Sequence, residues 1–283
     1  MRAKLLTALA ASGLIALGVA STARAVVTIG QTGADDPVVC SADDEALPSV
    51  STGTQYDVPS TGGIVNWTLT SWSHQARAVP DQQIKVKVWR QVSGLTYTVV
   101  GQDGPRDLVS GVLNTFTASI PVKSGDILGI TPLTDNTNCA FGPFGETYYL
   151  GDGDAATGAQ TTFTASTGRR LNISATLQPT NAFTVGDTRR NKKKGTATVS
   201  VTVPNPGDLT GSGNGAKVAG TAGAVISKSV GAGQAQLLIK AKGKKKRKLN
   251  DKGKVKVSVA ITYTPTGGDP ATQSIKVKLK KKL

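Results

Sequence analysis

The stretch KGKKKRKLNDKGKVKVSV, residues 242–259, decides how the second half of this chain is read. Its first part is a run of positive charge that would suit a nucleic-acid grip, a nuclear address or a loop. Its second part favours the loop. Val255, Val257 and Val259 alternate with Lys256 and Ser258, and a period of two marks a strand with one buried face. Lys254 and Lys256 therefore stand on the solvent side. The lysines of 242–248 read as a crossover loop between a fifth and a sixth strand. Leu249, the lone large apolar residue beside them, is placed to plug the end of a sandwich. Charged side chains there also discourage edge-to-edge pairing.

Working outward, the same alternation recurs at Ala197–Val203, Leu237–Ala241, Val255–Tyr263 and Ile275–Leu279. Fainter strands near Ala182–Val185, Gly215–Ala219 and Ala224–Ser229 bring the total to seven, the count of an immunoglobulin-like sandwich. Upstream, Val65–Leu69, Ile84–Trp89, Thr96–Val100, Phe116–Ile120, Pro121–Ile130 and Leu171–Leu177 read as short strands. The turn at Ser93-Gly94 joins two of them into a hairpin. That spacing suits a sandwich or jelly roll. The fold expected is all-β, a jelly-roll-like β-sandwich followed by a seven-stranded immunoglobulin-like one.

The formal charge of +15 is unevenly held. Residues 26–180 contain 8 Lys/Arg against 14 Asp/Glu, whereas residues 181–283 contain 22 against 4. So sharp a change marks a domain boundary near Gln178-Pro179-Thr180. The expected organisation is a signal peptide at 1–25, an acidic domain at 26–179 and a basic domain at 180–283. For the signal peptide, Arg2 and Lys4 precede an apolar run from Leu5 to Ala20, and Ala23-Arg24-Ala25 supplies the small residues of a cleavage site. The run is shorter than the ~20 residues of a membrane span. Export makes a nuclear address purposeless. It also makes the two cysteines, Cys40 and Cys139, an expected disulfide.

Three blocks resemble a known family. GTATVSVTVPNPGDL (195–209), KGKKKRKLNDKGKVKVSVAITYTPTGGDP (242–270) and the terminal IKVKLKKK are similar to a lysine-rich immunoglobulin-like module. That module recurs at the C-termini of secreted proteins of high-GC Gram-positive bacteria. TSWS (70–73) and the segment 84–130, with KVKVWRQVSGLTYTVVGQDGP and NTFTASIPVKSGDILGI, resemble the domain that often precedes it. The resemblance implies the fold and export, and it carries over no catalytic or binding residue.

Enzyme signatures fail one by one. A serine triad would have to use His74, the only histidine, in TSWSHQA, where ring packing or plain exposure is expected. GSGNG (211–215) lacks the lysine and helix of a phosphate-binding loop and reads as a turn. Asp35/Asp36, Asp43/Asp44/Glu45 and Asp152/Asp154 are paired acids in polar loops, where solvation is the default. Asp152 and Asp154 could lend ligands to calcium but lack the rest of an EF-hand. No metal centre and no cofactor is expected, and no enzyme.

What remains is binding. Arg189, Arg190, Lys192, Lys193 and Lys194 form one basic cluster, and Lys244, Lys245, Lys246, Arg247, Lys248 and Lys252 another, with Lys280–Lys282 at the end. They suit non-specific polyanions such as anionic cell-envelope polymers. Sequence-specific nucleic-acid reading is not expected, because the basic half offers only Phe183 and Tyr263 as aromatics. The reading is a secreted, non-catalytic protein, extracellular or held non-covalently at the cell wall. The rival is a carbohydrate-binding module or glycoside hydrolase in the first half. It would need Trp72 and Trp89 on one exposed face, Trp67 being expected inside and Trp89 outside.

Overall fold

A computed structural model describes residues 26–48, 54–142, 146–220 and 227–283. The expected signal peptide, and the start of the strand expected at Ala224, lie outside the described residues. Those described are all-β, with a single helix among the strands.

In the first half a four-stranded sheet runs in the order Val27–Gln31, Ile173–Pro179, Asn66–Gln75, Leu113–Lys123. A seven-stranded sheet runs Gln160–Thr162, Thr96–Asp107, Gln83–Ser93, Ile127–Pro132, Asp44–Pro48, Thr147–Asp152, Thr164–Thr167. Alternation along each strand sends Trp67, Leu69 and Trp72 from the first sheet, and Ile84, Val86, Val88, Leu128 and Ile130 from the second, into one core. The expected hairpin is present, with Arg90 opposite Thr98 and Ser93 opposite Thr96. Cys40 and Cys139 form a disulfide across 99 residues, with Cα atoms 5.7 Å apart. Closing a loop of that size contributes up to about 4.7 kcal/mol in the chain-entropy account.

The outer face of the seven-stranded sheet is where expectation and structure part. Lys85, Lys87 and Trp89 alternate with the core residues, so the pattern places them in solvent. Instead the chain leaving Thr147–Asp152 crosses that face, and Gln160–Thr162 pairs with Thr96–Asp107 at the far edge. Beneath this strap, Leu47, Trp89, Tyr97, Val99 and Phe163 make a second small core. Trp89 is fully buried, edge-on to Phe163 at 5.0 Å.

In the second half two four-stranded sheets share one core. The orders are Thr184–Asn191, Thr196–Val203, Gly233–Ala241, Ala216–Gly220, and Ser227–Val230, Gly207–Ser212, Lys254–Pro265, Ala271–Lys280. Val199 and Val201 of one meet Val257, Val259, Ile261 and Tyr263 of the other. The strand missed by sequence is Gly207–Ser212, whose GDLTGS holds a single large apolar residue, Leu209. No core cluster mixes residues from the two sides of position 180.

The loop expected at 242–248 is corrected by the structure: Gly243–Lys252 is an α-helix. Lysine and arginine are good helix formers, and the helix is stopped by Gly253 at φ 63°, the left-handed cap that glycine adopts without strain. Its one buried side chain, Leu249, closes the core as expected.

Candidate polyanion-binding surface

Four segments remote in sequence converge at one end of the second half. The turn after Thr184–Asn191 is fixed by Asn191 Oδ1, which accepts from Lys194 N–H at 3.0 Å. Gly195 follows at φ 65°, and a Cβ there would stand 3.1 Å from Leu249 Cδ2. Only a glycine turn lets the helix pack this closely. On the other side Lys242 N–H donates to Gly215 O at 2.8 Å. The C-terminal residues thread between these parts: Lys281 N–H donates to Gly253 O at 2.8 Å and Lys282 N–H to Lys192 O at 2.9 Å.

Between the elements lies a groove of about 930 Å³ walled by Lys194, Lys217, Lys240, Lys242, Lys246 and Lys281. A smaller one of about 370 Å³ runs over the neighbouring face, walled by Lys245, Lys248, Lys254, Lys256 and Lys278. Of the residues expected from sequence, Lys194 and Lys246 meet in the first groove and Lys245 and Lys248 in the second. Arg189, Arg190, Lys192, Lys193, Lys244, Arg247 and Lys252 are exposed but line neither. Arg190 instead donates from Nε to Lys278 O at 2.9 Å, which ties the two sheets at their edge. Lys217, Lys240 and Lys278 were missed because each reads singly as the outward residue of a strand.

The electrostatics differ between the halves. Lys85, Lys87, Arg90, Arg106, Arg169 and Arg170 in the first half all hold carboxylates. Among the described residues, none of the six lysines of the larger groove makes a salt bridge, and Lys281 Nζ reaches only Asn250 Oδ1, at 2.8 Å. The helix N-terminus carries no acidic residue in its first turn, so its dipole adds positive potential to that of the lysines. A field of this sign favours anions by charge and not by shape. The aromatics of this half, Phe183 and Tyr263, are buried edge-on at 6.0 Å, so neither offers a stacking face.

The aromatic platform of the first half is likewise a correction. Trp72 is 1 % exposed, packed at 4.6 Å against the tilted ring of Phe116, and donates from Nε1 to Asp103 Oδ2 at 2.8 Å. It belongs to the main core and Trp89 to the small one, so the two share no face. His74 is buried too. Its Nδ1 lies 2.7 Å from Asn172 O and its Nε2 3.2 Å from the carboxamide of Asn138, so among the described residues both ring nitrogens are taken by amide groups. Burial lowers its pKa to about 4. Asp154 is held by Lys85 and Lys87; a cation would have to sit where two ammonium groups already are. Burial raises its carboxyl, but the hydrogen bonds from the two lysines outweigh this and hold it below the usual range. Comparison with family models, curated proteins and solved structures found no match to this chain.

Proposed function

We propose that the protein is a secreted, non-catalytic binding or structural protein of the cell surface, with a jelly-roll-like domain at 26–179 and an immunoglobulin-like domain at 180–283. The basic domain would hold it at anionic envelope polymers by Coulomb attraction. One observation carries this reading: lysines from four separate segments wall one open groove with, among the described residues, no carboxylate in its lining. The carbohydrate-binding alternative loses its support with Trp72 and Trp89 buried in different cores.

The test is binding of the full chain to lipoteichoic acid across a salt series. Wild-type affinity should fall linearly with log salt, as in counterion release. The triple substitution Lys194→Gln, Lys246→Gln, Lys281→Gln should bind more weakly and with a shallower slope, while Lys123→Gln in the first half should match wild type. Equal slopes for all three proteins would overturn the assignment.

A further inference from the structure

Under the strap of the first half lies a charged cluster that the binding function does not use. Lys87 and Glu45 have fully buried side chains, and Lys87 Nζ stands 2.5 Å from Glu45 Oε1 and 2.9 Å from Asp154 Oδ1. Glu45 also accepts the Ala155 N–H at 2.8 Å and the Thr161 hydroxyl. The Trp89 ring centre is 5.6 Å from Lys87 Nζ. Lys87 Nζ thus touches two carboxylates, one wholly buried in Glu45 and one in Asp154, whose side chain is 27 % exposed.

We propose that Lys87 and Asp154 condense into an intramolecular amide, with Glu45 carrying one of the protons. The Lys87 ammonium passes one proton directly to the contacted Oδ1 of Asp154, and the freed lone pair attacks Cγ of the carboxylic acid so formed. The Nζ–Cγ bond forms and one Cγ–Oδ bond breaks. Glu45, in contact with Nζ, takes the second proton from the nitrogen and gives it up as the departing oxygen leaves as water, so that it ends as it began. The ammonium and the Asp154 carboxylate thus become an amide and one water, with charge balanced and no oxidant or cofactor involved.

Three features favour this over a permanent ion pair. Held groups react with effective concentrations of about 10⁵–10⁸ M, which offsets the reluctance of amines and acids to condense in water. Glu45 Oε1, in contact with Lys87 Nζ, is placed to take an ammonium proton. The carbon to be attacked carries the oxygen that already lies 2.9 Å from Lys87 Nζ, so little motion separates contact from bond. Lys85 touches Asp154 as well, but its side chain is 15 % exposed and Glu45 is not its partner, so it lacks the proton carrier. The amide would join strand Gln83–Ser93 to the chain beyond Thr147–Asp152, across two intervening strands, and pin the strap to the sheet. A protein exposed outside the cell gains resistance to unfolding and proteolysis from such a staple.

The experiment is mass spectrometry of the purified full chain and of its proteolytic peptides. The expected intact mass is lower than that of the disulfide-bonded polypeptide by one water, with a branched peptide joining Lys87 to Asp154. Glu45→Gln and Lys87→Arg should each restore the missing water. Asp154→Asn leaves the site's shape nearly unchanged and should lose ammonia in place of water, so the idea stays testable if the other variants fold poorly. An undiminished mass for both the wild type and Asp154→Asn, or a branch mapped to Lys85, would overturn the proposal.

Discussion

His74 shows what a single residue does to this molecule's response to acid. Unfolded, its imidazole titrates near 6.5; folded, burial holds it near 4. Between those values the unfolded chain binds a proton that the native state refuses, so stability is intact above pH 6.5 and falls as pH drops towards 4. The full effect is about 3 kcal/mol. Denaturant midpoints at pH 7 and 4.5 should differ accordingly, and His74→Gln should flatten the difference whatever its effect at neutral pH. An unchanged pH slope in the variant would assign the acid sensitivity elsewhere. At this scale the sequence was half legible. Trp67 follows from alternation, and Leu249 from being the lone large apolar residue beside the lysines; each is buried in the core of its own half. Trp89 does not follow, because alternation says only which side of a sheet a residue is on. The strap that covers Trp89 comes from residues 153–163, and nothing in IKVKVW announces it.

At the scale of elements, the helix Gly243–Lys252 is the instructive miss. Helices are read from apolar periodicity and caps, and this one has a single buried residue and a lysine, with no capping side chain, at its N-cap. Its signals are Gly253 as C-cap and the propensity of lysine, and both are easily read as features of a loop. The arrangement is also electrostatically poor, since Lys244–Lys246 crowd the positive end of the dipole. Lys244→Glu should therefore stabilise the protein by about 0.3–1 kcal/mol at low salt while weakening binding to a polyanion. Thermal melts paired with the lipoteichoic acid titration would read both. A variant that gained stability and kept its affinity would mean that the first turn takes no part in binding. Strands were far more legible, since Val255–Tyr263 repeats its alternation for nine residues and only one face could be core.

For the whole molecule, the charge reversal near residue 180 falls between the residues of the two main cores. How the halves touch was not legible in VPNPGDL. In the structure Asn205 is fully buried there. Its Oδ1 accepts the N–H groups of Val65 and Asn66 at 3.2 and 3.0 Å, and its Nδ2 donates to Asn66 O at 2.7 Å. Asn66 Nδ2 returns a bond to Pro204 O at 2.8 Å, and the Tyr263 hydroxyl donates to Asn205 O at 2.7 Å. One carboxamide thus satisfies the exposed end of strand Asn66–Gln75 from across the boundary. Buried groups left without partners cost about 1–3 kcal/mol each, so the contact is directional in a way an apolar patch would not be. Asn205→Ala should leave both cores folded yet let the halves swing about Thr180, broadening the distance distribution in small-angle scattering and exposing the 178–182 segment to protease. If the profile and the cleavage rate match wild type, the remaining contacts, such as Thr68 with Thr180 at 3.1 Å, suffice to hold the angle. A basic surface tethered to a polymer would then present the acidic half in one fixed direction even without the asparagine.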